Sequence, residues 1–181
     1  MAKKETKNKI RKNNSSTGTN KKPSTQLESN SFKEQGKYIR TVGIGASAGG
    51  LEALKIIFKN LPSDTGLCFI IVTHQDPKHI SLMPDILSRC TNMIVKAAAN
   101  GDNIGPNKVF TVPPNKMLYI ENDRLVLREL QADHITDHLP IDTFFKSLAE
   151  DQGEHAACIV LSGTGSDGML GLKEVKARAG I

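Results

Sequence analysis

Three residues of the types used in nucleophilic catalysis each follow a run of apolar residues: Ser47, His74 and Asp167. A serine hydroxyl is a poor nucleophile until a neighbouring base removes its proton, and histidine is the side chain that most often does so near neutral pH. A carboxylate beside the imidazole orients the ring and stabilises its protonated form. These residues therefore predict an esterase triad in which Ser47 attacks, His74 moves the proton and Asp167 orients His74.

The glycine-rich turn that contains Ser47 is open to three interpretations. Gly45-x-Ser47-x-Gly49 fits the nucleophile elbow, a sharp turn from strand to helix that exposes a serine hydroxyl. The same turn, read from Gly43 through Gly45 to Ala48, fits the dinucleotide fingerprint, in which glycines let the backbone approach a pyrophosphate. A tight turn with Ser47 capping the next helix is the third.

The two other candidate residues favour the elbow. A dinucleotide site needs an acidic residue near the end of the second strand, and Asp76 could serve, but His74 lies nearer to that end. Asp167 taken alone is also typical of a helix N-terminus, where the helix dipole stabilises a carboxylate. The order serine, histidine, aspartate differs from the serine, aspartate, histidine order of the α/β-hydrolases, which disfavours that fold.

Short apolar runs alternate with helical periodicity from Tyr38 onward, as expected for βαβ units. The predicted strands are Tyr38–Ile44, Leu67–Val72 and Ala156–Leu161, and the predicted helices are one of some eleven residues from Leu51 to Leu61, Ser81–Cys90, Ile141–Asp151 and one from Met169. Loops after parallel strands meet at one edge of a sheet, so Ser47, His74 and Asp167 can converge there. The prediction is an α/β fold with a doubly wound, mostly parallel sheet in a three-layer, Rossmann-like arrangement.

Residues 94–128 break this alternation. Their apolar runs are short, and turn residues stand at Asn100-Gly101-Asp102, Pro113-Pro114-Asn115 and Asn122-Asp123. The last pair predicts a hairpin between Met117–Glu121 and Arg124–Arg128. We expect the whole segment to be an antiparallel excursion from the main sheet.

The first 37 residues differ in composition from the rest. Residues 1–40 hold 11 of the 24 Lys and Arg residues but only three acidic residues, so the net charge of +5 comes from this end. Such a polar stretch buries too little surface to offset the entropy of ordering it. We predict a disordered basic leader over residues 1–37 and one domain over residues 38–181. The leader could bind nucleic acid, an anionic membrane or an acidic partner weakly, although a solvated leader is the simpler interpretation.

The sequence has no long apolar segment and its start lacks the apolar stretch of a signal peptide, so it predicts a cytoplasmic protein without membrane insertion. No specific nucleic-acid partner is predicted. Cys68, Cys90 and Cys158 are odd in number and have no CxxC spacing, which indicates core thiols. The other histidines, His79, His134, His138 and His155, show no metal-binding spacing, and no metal or cofactor is predicted.

From about Tyr38 to Ile181 the chain resembles the catalytic domain of the chemotaxis protein-glutamate methylesterase family, CheB. The matching motifs are Ile44-Gly-Ala-Ser-Ala-Gly-Gly50, Thr73-His74-Gln75, Lys96-Ala-Ala-Ala-Asn-Gly-Asp102, Val109-Phe-Thr-Val-Pro-Pro-Asn115, Pro140-Ile-Asp142-Thr-Phe-Phe145 and Leu161-Ser-Gly-Thr-Gly-Ser-Asp-Gly168. The resemblance implies hydrolysis of glutamate methyl esters on chemoreceptor cytoplasmic domains, and often deamidation of receptor glutamines, by Ser47, His74 and Asp167. An oxyanion hole is expected from backbone N–H groups near Ala48 and in the loop Gly163, Thr164 and Gly165.

The chain departs from the family pattern in three respects. Ala48 and Thr164 stand where the family usually has threonine and methionine. The first 40 residues are too few for the family's receiver domain, so regulation is expected to differ, for example through fused or associated methyltransferase or kinase modules in a phosphorelay. Gly180 after the last helix should lead into another strand, so we expect the domain to be incomplete at its C-terminus. Two alternatives stay open, a catalytically degenerate esterase-like sensing or binding module and a dinucleotide-binding domain.

Overall fold

The computed structural model describes residues 40–47, 49–74, 81–130, 139–161 and 166–181. These residues all lie within one unit of the chain, Gly36–Ile181. The predicted leader, residues 1–37, lies outside the described residues and stays a prediction, as does the domain over residues 38–181.

A five-stranded parallel sheet forms the centre of the fold. Its strands are β1 (Thr41–Ala46), β2 (Cys68–Thr73), β3 (Ile94–Ala97), β4 (Lys108–Thr111) and β7 (Ala156–Leu161), and β5 (Lys116–Glu121) and β6 (Arg124–Glu129) form a separate antiparallel hairpin. The helices are α1 (Gly50–Asn60), α2 (Met83–Ser88), α3 (Pro140–Gln152) and α4 (Met169–Ala177). In the main sheet the strand order is β3-β4-β2-β1-β7. The predicted α/β fold with a mostly parallel sheet and a hairpin is confirmed.

The two faces of the sheet carry separate apolar clusters, because successive side chains of a strand point to opposite faces. In β2, Cys68, Ile70 and Val72 belong to one cluster, and Phe69 and Ile71 belong to the other. The first cluster includes residues of α3, α4 and the hairpin, and the second includes residues of α1 and α2. Coverage of both faces explains why β2 is a continuous apolar run in the sequence.

The expectation that the whole segment 94–128 is antiparallel is wrong for its first half. β3 pairs in parallel with β4, and β4 pairs in parallel with β2. Residues 98–107 connect β3 to β4 along the hairpin, with Gly101 N–H donating to Leu125 O and Leu125 N–H donating to Asp102 O, both at 2.8 Å. The connection between these two parallel strands therefore runs beside the hairpin and contains no helix, and the turn at Gly101 belongs to a crossover.

Element boundaries differ from the predicted ones at two places that matter for the site. β1 runs two residues beyond the predicted end, to Ala46, and α2 covers only the middle of the predicted helix Ser81–Cys90. Gly45 and Ala46 carry no large side chain, so hydrophobic pattern could not assign them to a strand. The longer β1 places Ser47 directly after the strand rather than inside a loop.

Two glycines of β1 allow α3 to approach the sheet closely. A Cβ atom added at Gly45 would lie 2.5 Å from Ile141 Cγ2, and one added at Gly43 would lie 2.9 Å from Phe145 Cε1. Real Cβ atoms essentially never approach other atoms within 3.0 Å, so a larger residue at either position requires these side chains of α3 to shift. The first turn of α3 therefore lies directly over the end of β1.

Among the strands of the described residues, β7 is the last on its side of the main sheet. Its side chains Ile159 and Val160 are partly exposed, although the sequence of the strand is wholly apolar. Ile181 N–H donates to Ala156 O at 3.0 Å, and Cys158 N–H donates to Ile181 O at 2.7 Å, as in a parallel pair of strands.

Candidate active site

The three predicted catalytic residues follow strands that are neighbours in the sheet. β1 lies between β2 and β7, and its last residue, Ala46, is level with Thr73 and with Leu161. Ser47 and His74 come directly after β1 and β2, and Asp167 follows β7 by six residues. The topology therefore brings the three loops to the same edge of the sheet, as predicted.

His74 and Asp167 are in direct contact. His74 Nε2 lies 3.1 Å from Asp167 Oδ2, and the two side chains are 48% and 6% exposed. A buried carboxylate beside a half-exposed imidazole is the arrangement in which the carboxylate fixes the ring while the ring remains accessible to a substrate. Because Nε2–H donates to Asp167, Nδ1 is the nitrogen that can accept a proton in the neutral ring.

The Asp167 carboxylate is also held by the first turn of α3. Ile141 N–H donates to Oδ2 at 3.1 Å, and Asp142 N–H donates to Oδ1 at 2.8 Å. These N–H groups have no acceptor within their own helix, and the helix dipole adds partial positive charge at this end. Pro140 begins the helix, where its fixed φ fits and its missing N–H costs nothing.

The alternative interpretation of Asp167, a carboxylate at a helix N-terminus, thus holds for a different helix from the expected one. Asp167 stands two residues before α4, but its oxygens accept hydrogen bonds from α3. Sequence reasoning missed this role of α3, although the proline at the helix start was a visible signal. A helix N-terminus 25 residues earlier in the chain cannot be paired with Asp167 by local pattern.

Ser47 and His74 line the same surface cavity, which has a volume of about 240 Å³. The cavity is also lined by Leu51, Thr73, Ser81, Leu82, Met83 and Ile86. Ser47 is half-buried, and its carbonyl oxygen accepts a hydrogen bond from Gly50 N–H at 2.8 Å in the turn that starts α1. The N-cap position of α1 is Gly49, two residues after Ser47. The structure thus places the serine and the histidine at one opening to solvent, with an apolar wall from α1 and α2.

Several predicted site residues lie outside the described residues: Ala48, Gly163, Thr164 and Gly165 of the expected oxyanion hole, Asp76 of the dinucleotide alternative, and His79, His134 and His138. Their roles stay predictions. His155 is described and precedes the first residue of β7, so it lies at the opposite edge of the sheet, 3.8 Å from the Glu154 carboxylate.

The cysteines lie apart from the cavity, and all three are free thiols. Burial raises the pKa of the Cys68 thiol to about 11 and that of the Cys158 thiol to about 12. A thiol with so high a pKa is almost entirely protonated near neutral pH and is a poor nucleophile or metal ligand. Among the described residues, no three His, Cys, Asp or Glu side chains are grouped as a metal ion requires. In the part of the chain that is described, no helix has the length and apolar character needed to cross a membrane.

Comparison with known proteins identifies the family of this fold. Residues 42–181 match the family model described as CheB methylesterase. The crystal structure of the Thermotoga maritima CheB methylesterase catalytic domain superposes with a TM-score of 0.68 at 26% identity, covering 78% of this chain and 77% of that domain.

Proteins that are similar to this chain in sequence are named for methylesterase activity as well. The Burkholderia lata protein-glutamate methylesterase/protein-glutamine glutaminase 2 is 36% identical over 138 residues, which are 76% of this chain and 40% of that protein. The Photorhabdus laumondii protein-glutamate methylesterase/protein-glutamine glutaminase is 31% identical over 149 residues, 81% of this chain and 42% of that protein. A Leptospira interrogans protein, provisionally named for the same two activities, is 31% identical over 138 residues, 76% of this chain and 72% of its own.

Proposed function

Because this chain belongs to the CheB methylesterase family, we propose that it hydrolyses glutamate methyl esters on the cytoplasmic domains of chemoreceptors. Ser47 is the nucleophile, His74 the general base and acid, and Asp167 the orienting carboxylate. The observation that carries the proposal is the 3.1 Å contact between His74 and Asp167 at the edge of the sheet where Ser47 follows β1. Names of relatives support deamidation of receptor glutamines as a second reaction of the same site.

In the first half of the reaction, Ser47 Oγ attacks the ester carbonyl carbon while His74 Nδ1 takes the hydroxyl proton. The imidazolium that forms donates from Nε2 to Asp167, whose charge stabilises it. The C–O bond to the methoxy group then breaks, and the proton on Nδ1 leaves with it as methanol. An acyl-enzyme on Ser47 remains.

In the second half, His74 takes a proton from water, and the resulting hydroxide attacks the acyl-enzyme carbonyl. Collapse of the tetrahedral intermediate returns the proton to Ser47 and releases the glutamate side chain as a carboxylic acid, which loses its proton to solvent to give the carboxylate. Each intermediate carries an oxyanion, for which backbone N–H groups near Ala48 and in the loop Gly163–Gly165 are the proposed donors. The reaction needs no metal ion or cofactor, and ammonia replaces methanol when the substrate is an amide.

The cavity residues support a small side-chain substrate presented by a protein. Leu82 is 62% exposed at the opening, where it can contact the apolar surface of a receptor beside the ester. We place the activity in chemotaxis-type signalling in the cytoplasm, with fused or associated methyltransferase or kinase modules as further partners.

The proposal is tested by incubating the full chain with receptor cytoplasmic domains whose glutamates carry methyl esters. Methanol release, measured by headspace chromatography, should rise in proportion to enzyme and match the number of carboxylates regenerated in the receptor by mass spectrometry. Unmethylated receptor is the control. A chain that is folded by circular dichroism but releases no methanol above the spontaneous rate would contradict the proposed activity.

Replacement of Gly45 by alanine separates the esterase from the dinucleotide interpretation. The new Cβ would meet Ile141, whose N–H holds Asp167, so overpacking should lower stability by about 1–3 kcal/mol. Misplacing Asp167 should also lower methanol release by about 10²-fold. Thermal melting and the methanol assay measure the two effects.

Gly105→Ala is the matched control for this change. An added Cβ there would meet only the end of the flexible Lys108 side chain, which can move aside, so activity and melting temperature should stay close to those of the unchanged protein. If the unchanged protein binds NAD saturably by calorimetry and Gly45→Ala removes that binding, the dinucleotide interpretation is correct instead.

A further inference from the structure

A second buried carboxylate, that of Asp142, lies beside the proposed triad and has no part in the mechanism above. Asp142 is 2% exposed, and its Oδ1 accepts a hydrogen bond from Gly171 N–H of α4 at 2.7 Å. Its own N–H donates to Asp167 Oδ1 at 2.8 Å. One residue of α3 therefore contacts both the triad carboxylate and the helix that follows it.

The position of Asp167 depends on how α4 lies against α3. Asp167 is joined to α4 through Gly168, whose φ of +96° is one that few other residues adopt. A Cβ atom added at Gly171 would lie 2.3 Å from Phe145 Cβ and 3.2 Å from Asp142 O. The start of α4 thus packs directly on α3, and a shift of α4 would move Asp167 relative to the N–H groups that hold it.

The hydrogen bond from Gly171 N–H to Asp142 Oδ1 joins the N-terminal ends of α4 and α3. These are the helix ends that lie nearest to the proposed active site. Gly171 N–H is in the first turn of α4, where N–H groups have no acceptor within the helix. A buried N–H group that loses its acceptor is costly, which favours one arrangement of the two helices over others. The position of the His74 ring must be held to within about a few tenths of an ångström for catalysis, so the choice of one arrangement of α3 and α4 matters for the reaction.

We propose that Asp142 is a positioning residue for the proposed esterase reaction. By accepting from Gly171, it fixes α4 on α3 so that Asp167 keeps both helix N–H groups and presents Oδ2 to His74 Nε2. The inference rests on the proposed function for its catalytic consequence, but the effect on the His74 ring can be observed without any turnover. Asp142 itself touches neither the substrate nor the reacting atoms.

The test compares Asp142→Asn with Asp142→Ala in the full chain. Asparagine keeps the Oδ1 acceptor, so kcat for methanol release should stay within about threefold of the unchanged protein. Alanine removes the acceptor, and kcat should fall by about 10²-fold, the cost of a displacement of about 1 Å at a reacting group, while KM changes little. Asp142→Glu, which keeps the acceptor but moves it by one methylene, should also lower kcat and replaces the alanine variant if that variant does not fold.

Ser147→Ala is the matched control on the same helix. Ser147 is buried, and its Oγ accepts from Ile120 N–H at 3.2 Å, so the change removes one buried hydrogen bond between α3 and the hairpin. It should lower the melting temperature about as much as Asp142→Ala but leave kcat unchanged. Equal losses of kcat in the two variants would show that Asp142 acts through general stability, and would overturn the proposal.

Nuclear magnetic resonance of the His74 ring supplies a readout independent of activity. In the unchanged protein and in Asp142→Asn, the ring should show one tautomer, protonated at Nε2. In Asp142→Ala that preference should weaken. A retained Nε2–H tautomer in Asp142→Ala, or in Asp142→Glu where it replaces that variant, would overturn the inference even if the unchanged protein released no methanol, whereas absence of methanol alone would contradict only the proposed function.

Discussion

Ser47→Ala should lower kcat for methanol release by roughly 10⁶-fold, because removing the nucleophile of a serine triad removes the whole covalent pathway. The change deletes one hydroxyl from a half-buried side chain, and the backbone bond from Gly50 N–H to the carbonyl of residue 47 is retained. The fold should therefore be preserved. Methanol release and thermal melting measured on the same preparation check the two parts.

Ser88→Ala is the matched control for the nucleophile. Ser88 is an exposed serine at the end of α2, its Oγ donates to Asp85 O at 2.9 Å, and it does not line the cavity. Its replacement should leave methanol release unchanged. Release by Ser47→Ala at more than about one hundredth of the normal rate would contradict the assignment of Ser47.

A fluorophosphonate probe distinguishes an active esterase from a degenerate binding module. The probe should label the unchanged protein at Ser47, because only a serine activated by a base reacts. Mass spectrometry should find no label in Ser47→Ala. If the unchanged protein binds methylated receptor but neither takes the label nor releases methanol, it is the catalytically degenerate module instead.

Asp167→Asn should have the second largest effect, a loss of roughly 10⁴-fold in kcat. Three donors face the carboxylate, Ile141 N–H, Asp142 N–H and His74 Nε2–H, and an asparagine offers one acceptor oxygen and an NH₂ group in place of two oxygens. At least one donor then faces another donor. If His74 turns its proton to Nδ1 in response, it can no longer accept the Ser47 proton.

The same change should lower the free energy of unfolding by about 1–3 kcal/mol, the cost of leaving a buried N–H group without an acceptor. Chemical denaturation and the methanol assay separate the two losses. Asp151→Asn is the matched control, since the Asp151 carboxylate also accepts two backbone N–H groups, those of Asn122 and Asp123, far from the cavity. It should lower stability and leave kcat unchanged, and an equal loss of kcat would refute the specific role of Asp167.

The Asp167 carboxylate of the proposed site is fixed by more than its contact with His74. Asp167 depends on the N-terminus of α3, and α3 depends in turn on the small residues of β1 beneath it. Gly43 and Gly45 are therefore accounted for by helix packing without any bound pyrophosphate. The glycines of β1 therefore support the position of Asp167 through α3, while the end of the same strand positions Ser47.

The sequence predicted most elements because their signals are local. Helical spacing from Leu51 onward gave α1, the continuous apolar run gave β2, and the pair Asn122-Asp123 gave the hairpin, in which both residues have positive φ. These patterns depend on residues within a few positions of each other. They also sufficed to place Ser47 and His74 after neighbouring strands.

The pairing of strands that are distant in the sequence could not be predicted from such local patterns. The direction of β3 and β4 was predicted wrongly, because four-residue strands carry too little pattern and their crossover uses residues that resemble a hairpin turn. The strand β7 was predicted correctly in its bounds, while its partial exposure depends on its place at the side of the sheet.

The amino-acid sequence by itself thus determined the three candidate catalytic residues and the strand ends that carry them. Only the tertiary structure decided that Asp167 is held by α3, that Nε2 is the His74 nitrogen facing it, and that Asp142 links α3 to α4. The physical reason is that these contacts join residues 25 or more positions apart. Such contacts leave no periodic trace in the sequence and follow from the packing of whole helices on the sheet.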